Sequence, residues 1–147
     1  MGGECLMARG GRAAFNIEYS EFAKSLEVLL SKVERGTKKA TKQACEEILA
    51  ESIRQVPKDT NTLAKSAFYE IHGKYRNFTA TIGYGGNGDP INPKTGRPAS
   101  EYMVVVHEDL QAHHPVGKAK FLEDPVREYQ RKMRQTYARA IRKETGM

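Results

Sequence analysis

Tryptophan is absent from this 147-residue chain, and cysteine nearly so, with only Cys5 and Cys45. Two thiols cannot build a metal framework by themselves, and such sparse use fits a reducing compartment. No apolar run approaches 18 residues, which excludes a helical membrane span. The first 14 residues contain no apolar h-region, so a secretory signal is not expected. Gly2 follows Met1, but Leu6 stands where myristoylation requires Ser or Thr. Acidic residues are the scarcer charge, 18 against 24 Lys and Arg, so the net charge is +6. With 39% hydrophobic and 29% charged residues, the composition is polar but not that of a disordered chain.

What is present is enough for one ordinary domain. The basic excess is concentrated at one end. Residues 125–147 hold Arg127, Arg131, Lys132, Arg134, Arg139, Arg142 and Lys143 against Glu128 and Glu144, so nearly all of the net charge sits there. Residues 1–15 are Gly-rich and aperiodic and read as a flexible arm that orders on a partner. The remainder, 16–147, reads as a single α+β domain. A helix starts at Ser20, with Tyr19, Phe22, Leu26, Leu29, Leu30 and Val33 forming one apolar stripe. Gly36 is a candidate stop, and a second helix carrying Ala40, Ala44, Ile48, Leu49 and Ser52 ends before Pro57. If Gly36 breaks the helix, Lys38, Lys39 and Lys42 crowd a helix N-terminus and form an anion-facing patch. If it does not, they are mid-helix and cost nothing.

Alternation predicts strands over 66–72 and 78–84. Residues 101–107, with Tyr102, Met103, Val104, Val105 and Val106, read as a third strand buried on both faces. Between them, residues 85–100 are rich in Gly and Pro and form a long inserted loop expected to reach beyond its own subunit. Asp124 and Pro125 open a final helix, in which Val126, Tyr129, Met133, Tyr137, Ala140 and Ile141 form one arc and Arg127, Arg131, Arg134 and Arg142 another. Two N-terminal helices and a C-terminal helix on a three- or four-stranded antiparallel sheet are therefore expected. The expected core is Leu26, Leu29, Ile48, Ile82, Val104, Val106, Leu122 and Met133.

The densest group of potential ligands is His107, Glu108, Asp109, His113 and His114. An H-E-x-x-H zinc pattern would need His where Gln111 stands, and Pro115 closes the run. A metal site, a polar strand end and an intersubunit contact are the alternatives. Gly85, Gly86 and Gly88 are not followed by the Lys-Ser/Thr of a phosphate loop. No spacing assembles Ser, Cys and His into a nucleophilic site, and Cys45 reads as a small buried or interfacial residue. The arginine arc suits a solvated face, an acidic protein partner or a nucleic-acid backbone. No aromatics interleave with it to stack on single strands.

Three stretches resemble a known family. They are Val56-Pro57-Lys58-Asp59-Thr60-Asn61-Thr62-Leu63 with Ser66; Tyr102-Met103-Val104-Val105-Val106-His107-Glu108; and His114-Pro115-Val116-Gly117-Lys118-Ala119-Lys120-Phe121-Leu122-Glu123-Asp124-Pro125. In this order they are similar to the neck and tail-completion proteins of tailed bacteriophages, of the lambda Z-like type. The family's usual Gly after Asp-Thr is Asn61 here, a residue that tolerates positive φ.

The resemblance implies a non-enzymatic structural virion protein at the head–tail junction, assembled in the bacterial host cytoplasm. It would form a homo-oligomeric ring, a hexamer or dodecamer, that contacts adjacent connector, neck, tail-tube or tail-terminator proteins. DNA would pass through its channel without sequence-specific binding. No cofactor, metal or membrane is implied. The alternative is a basic nucleic-acid-binding module using the C-terminal helix. Candidate partner-interface residues are Arg127, Arg131, Arg134, Arg142, Lys38, Lys39, Lys42, Asn87, Asp89, Lys94, Arg97, His113 and His114.

Overall fold

A computed structural model describes residues 5–8, 12–15, 18–74, 77–86, 88–111 and 115–147. The fold is α+β. Strands β1 (Cys5–Ala8) and β2 (Arg12–Phe15) pair antiparallel within the region expected to be an arm. They are followed by α1 (Ser20–Gln55), α2 (Thr62–Lys65), β3 (Phe68–Lys74), β4 (Asn77–Gly83), α3 (Ala99–Glu108) and α4 (Glu123–Thr145). Among the described residues the strands form two separate two-stranded ladders, β1–β2 and β3–β4, and not one sheet of three or four.

The two expected N-terminal helices are one. Helix α1 runs unbroken for 36 residues, about 54 Å at 1.5 Å per residue. Gly36 lies buried in its middle, where a Cβ would sit 2.8 Å from the Ile141 Cα of α4. The glycine therefore permits close helix approach and terminates nothing. Its propensity cost of about 1 kcal/mol relative to Ala is offset by that contact. Lys38, Lys39 and Lys42 consequently lie mid-helix, free of any N-terminal dipole penalty. Pro57 does end the helix: Val56 is extended (φ −64, ψ 140), as a residue before proline must be.

Helices α1 and α4 are antiparallel. Thr41 and Tyr137 share a 2.9 Å hydroxyl hydrogen bond, Lys132 donates to Glu47 at 2.8 Å, and Lys39 reaches Glu144 at 2.5 Å. Ala44, Ile48 and Tyr129 form the buried centre of this contact, with Ile82 of β4 and Leu122 packed against it. Cys45 is buried beside it, and burial pushes its thiol pKa up.

The third expected strand is a helix. In α3, Ala99, Tyr102, Met103 and Val106 fall at i, i+3, i+4 and i+7, and all four pack on a second core of Val56, Leu63, Tyr84 and Phe121. Three consecutive valines suggested a strand. The helical arc instead leaves Val104 and Val105 exposed. Phe121 is fully buried, edge-on to Tyr84 at 5.2 Å and to His107 at 5.0 Å. Leu122 touches both cores.

The β3–β4 ladder extends past the expected limits to Lys74↔Asn77. Helix α4 begins at Glu123, one residue before the expected Asp124 cap, and its N-cap residue, Leu122, makes no side-chain capping bond. Of the expected core, Ile48 is buried and Ile82, Val106 and Leu122 are half-buried, but Leu26, Leu29, Val104 and Met133 are exposed.

Gly36→Ala tests the helix contact. The substitution favours helix by about 1 kcal/mol in isolation, yet its Cβ meets backbone that cannot rotate away. The melting temperature should fall. An unchanged or higher one would mean that α1 and α4 do not approach this closely.

A second test concerns Tyr84. Burial pushes its pKa to about 12, and the 2.6 Å hydrogen bond with Ser52 pulls it down only in part. The neutral phenol is thus favoured in the folded state. Stability from this group is complete below the unfolded value near 10 and is lost as pH rises through 12, at most about 2–3 kcal/mol. Thermal melts between pH 9 and 12 should show an alkaline loss that is shallower in Tyr84→Phe.

Candidate assembly surface

Two exposed surfaces stand out, and both arise from α1 and α4. The first is the outer face of α4. Arg131, Arg134, Arg139 and Arg142, with Gln135 and Ala138, line a shallow concavity. On a helical wheel Arg131, Arg142, Gln135 and Ala138 lie on the side away from Tyr129 and Tyr137, with Arg134 at one edge beside Ile141 and Arg139 at the other, so the centre of the arc points away from α1. None of the four arginines forms an ion pair among the described residues. The other cations of this segment differ. Arg127 pairs with Glu123, and Lys132 bonds Glu47 and lies 5.0 Å over the Tyr129 ring. Lys132's pKa is raised and Glu47's lowered by their hydrogen bond. Arg127 therefore leaves the expected arc and Arg139 enters it.

The second surface is the N-terminal third of α1. Helix α1 is 36 residues long and α4 only 23. Because Ile141 lies against Gly36 and Glu144 against Arg35 and Lys39, α4 ends opposite that point. Residues 20–31 extend beyond it and are all exposed. The apolar stripe that α4 covers at Ala40, Ala44 and Ile48 continues there as Tyr19, Phe22, Leu26, Leu29 and Leu30. Tyr19 is 65% exposed and Phe22 68%.

The remaining expected interface residues are dispersed. Lys39 binds Glu144, lowering that carboxyl's pKa; Lys42 pairs with Glu46 at 3.7 Å; Lys38 is exposed. The described part of the 85–100 segment makes contacts within its own chain. Ile91 bridges Pro98, and Asn92 is buried, donating its N–H to Arg97 O at 2.8 Å. Asp89 accepts the Ser100 backbone N–H at 2.9 Å in the first turn of α3, and its other oxygen accepts the Ser100 hydroxyl. Lys94 bonds Asp59, and Arg97 is exposed. Asn87, His113 and His114 lie outside the described residues.

His107 faces inward on Phe121. Its Nε2 accepts the Glu123 N–H at 3.4 Å, which leaves Nδ1 to donate to Glu108 at 2.8 Å. Lys120 also bonds Glu108 and holds that carboxyl below its usual range. The cluster thus ties α3 to the start of α4. Among the described residues no three His, Cys, Asp or Glu side chains come together as metal ligands. No described helix is long and apolar enough to cross a membrane.

A groove of about 470 Å³ lies between the 57–63 turn and α3, lined by Pro57, Leu63, Tyr102, Val106 and Val116 with Asp59 and Asn92 on its rim. Asn61 holds the turn in the left-handed region (φ 56, ψ 6), the conformation expected of the residue in the Gly position. Gly117 seats the 115–118 segment against Pro57, and Lys118 N–H caps Gln55 O at 2.9 Å. The hydroxyl pair Ser52–Tyr84 is sealed in the core and open to no substrate.

Compared with known proteins, the chain matches no family model, no curated sequence and no solved structure.

Asp89→Ala should lower stability by about 1 kcal/mol through loss of the α3 cap. Denaturant unfolding checks this, and an unchanged midpoint would mean that the loop is not held as described.

Proposed function

We propose that the chain is a structural subunit of the tailed-phage head–tail junction, working by assembly into a ring around the DNA path. The observation that carries this reading is the uncovered apolar third of α1. Monomeric proteins rarely leave contiguous apolar patches beyond a few hundred Å² in water. Tyr19 and Phe22 alone present on the order of 250 Å² here, and three leucines extend the stripe. A chain so built reaches its stable form only when another surface covers that stripe. The resemblance of the 56–66 turn, the 102–108 segment and the 114–125 segment supports the neck assignment, and the left-handed Asn61 is compatible with the turn.

The role is geometric, not catalytic. A closed cyclic ring, hexameric or dodecameric, matches the head opening to the tail and contacts adjacent neck, connector or tail-terminator proteins. DNA passes without sequence-specific grip. A second reading, a basic nucleic-acid-binding module, is favoured by the unpaired arginines of α4. It requires the isolated chain to bind duplex with a steep salt dependence.

Disruption of the coding frame in a phage that carries it should yield filled heads and separate tails, with joining restored by the intact chain supplied in trans. Electron micrographs of the lysate read this directly. Normally joined virions without the protein would refute the neck role. Leu29→Ala should leave the isolated subunit's melt within about 0.5 kcal/mol of wild type, because Leu29 is exposed, while impairing joining.

A further inference from the structure

We infer that the uncovered third of α1 docks on the arginine arc of α4 in a second copy of the chain, a head-to-tail contact. This rests on the ring reading above and names the surfaces that build it.

Three observations point to this occupant. The first is continuity. The exposed stripe is in helical register with the buried stripe that α4 already covers, so it is shaped to receive another helix. The second is charge. Residues 18–31 carry Glu18, Glu21 and Glu27 against Lys24 alone, a net −2. Lys24 is taken by Glu21 at 3.1 Å, and Glu18 and Glu27 form no ion pair among the described residues. The arc supplies four arginines that likewise form no ion pair among the described residues. Their aliphatic stems and Ala138 offer apolar cover for Phe22, Leu26 and Leu29 while the guanidiniums reach the flanking carboxylates.

The third is length. Residues 20–31 and 131–142 each span twelve residues, about 18 Å of helix. The two surfaces cannot meet within one copy, since the arc faces away from α1 and the overhang runs past the end of α4. Each copy therefore presents one of each surface. Such a contact is heterologous and propagates from copy to copy, giving a ring where the rotation between copies closes.

The test uses the full-length chain and light scattering coupled to size-exclusion chromatography, across concentration. Wild type should self-associate. Arg131→Glu/Arg134→Glu/Arg142→Glu breaks the arc, and Leu26→Asp/Leu29→Asp breaks the overhang. Each alone should weaken self-association by about 100-fold or more with an unchanged circular-dichroism spectrum, since all these side chains are exposed. The two variants mixed 1:1 should form a heterodimer and nothing larger, because only one intact overhang and one intact arc remain.

Assembly of the arc variant as in wild type, or no heterodimer in the mixture, would overturn this contact while leaving the ring reading standing. Wild type that stays monomeric at every concentration would overturn the contact too, and the lysate micrographs then judge the neck role separately. Tight, salt-sensitive duplex binding by wild type, with assembly indifferent to the arginines, would assign the arc to DNA and reject the inference.

Discussion

The close approach of α1 and α4 at Gly36 governs the rest of the molecule. A side chain there would hold the helices apart, and the contact of Ala44 and Ile48 with Tyr129 depends on their closeness. Because α4 enters beside the C-terminal half of α1 and ends opposite Gly36, that single crossing decides which part of the apolar stripe becomes core. It also leaves residues 20–31 bare and sends the arginines of α4 outward. The two candidate assembly surfaces are thus consequences of one packing event.

The second core solves a different problem. Val56, Leu63, Tyr84, Ala99 and Phe121 come from five segments, most of them short or irregular. Backbone hydrogen bonds and polar side chains hold those segments where regular structure does not. Lys118 N–H caps α1, Asp89 caps α3, and His107 links α3 to α4. Since buried backbone groups must find partners, an irregular region of this kind needs such specific polar contacts. The described part of the 85–100 segment is held by such contacts despite its composition. Its Gly and Pro residues fit tight turns, and Asn92 and Ala99 are buried within it.

Much of the candidate surface was legible in the residues but not its assignment. The arginine period of the last helix is plain, yet only the folded positions of Glu123 and Glu47 engage Arg127 and Lys132 and leave Arg139 outside any ion pair among the described residues. The overhang carried a signal in simple lengths: an apolar stripe from Tyr19 to Ser52 is longer than any helix the rest of the chain can lay against it. Reading Gly36 as a stop hid that signal, because two short helices could both have been covered.

Local chemistry determined several features without help. Pro57 ends α1 through steric clash with the preceding residue, Asn61 takes the left-handed turn, and the paired alternation of 68–83 forms a hairpin. These depend on neighbours in the chain, so the chain order contains them. Tertiary packing alone decided the state of Gly36 and of residues 99–108. A glycine within a helix either ends it or admits a close neighbour, and the neighbour, Ile141, is more than one hundred residues away. Three valines in a row suit a strand or a helix, and the outcome followed from which arc met Val56, Leu63 and Phe121. Burial against distant residues outweighs local propensities of a few tenths of a kcal/mol per residue, so those choices belonged to the fold.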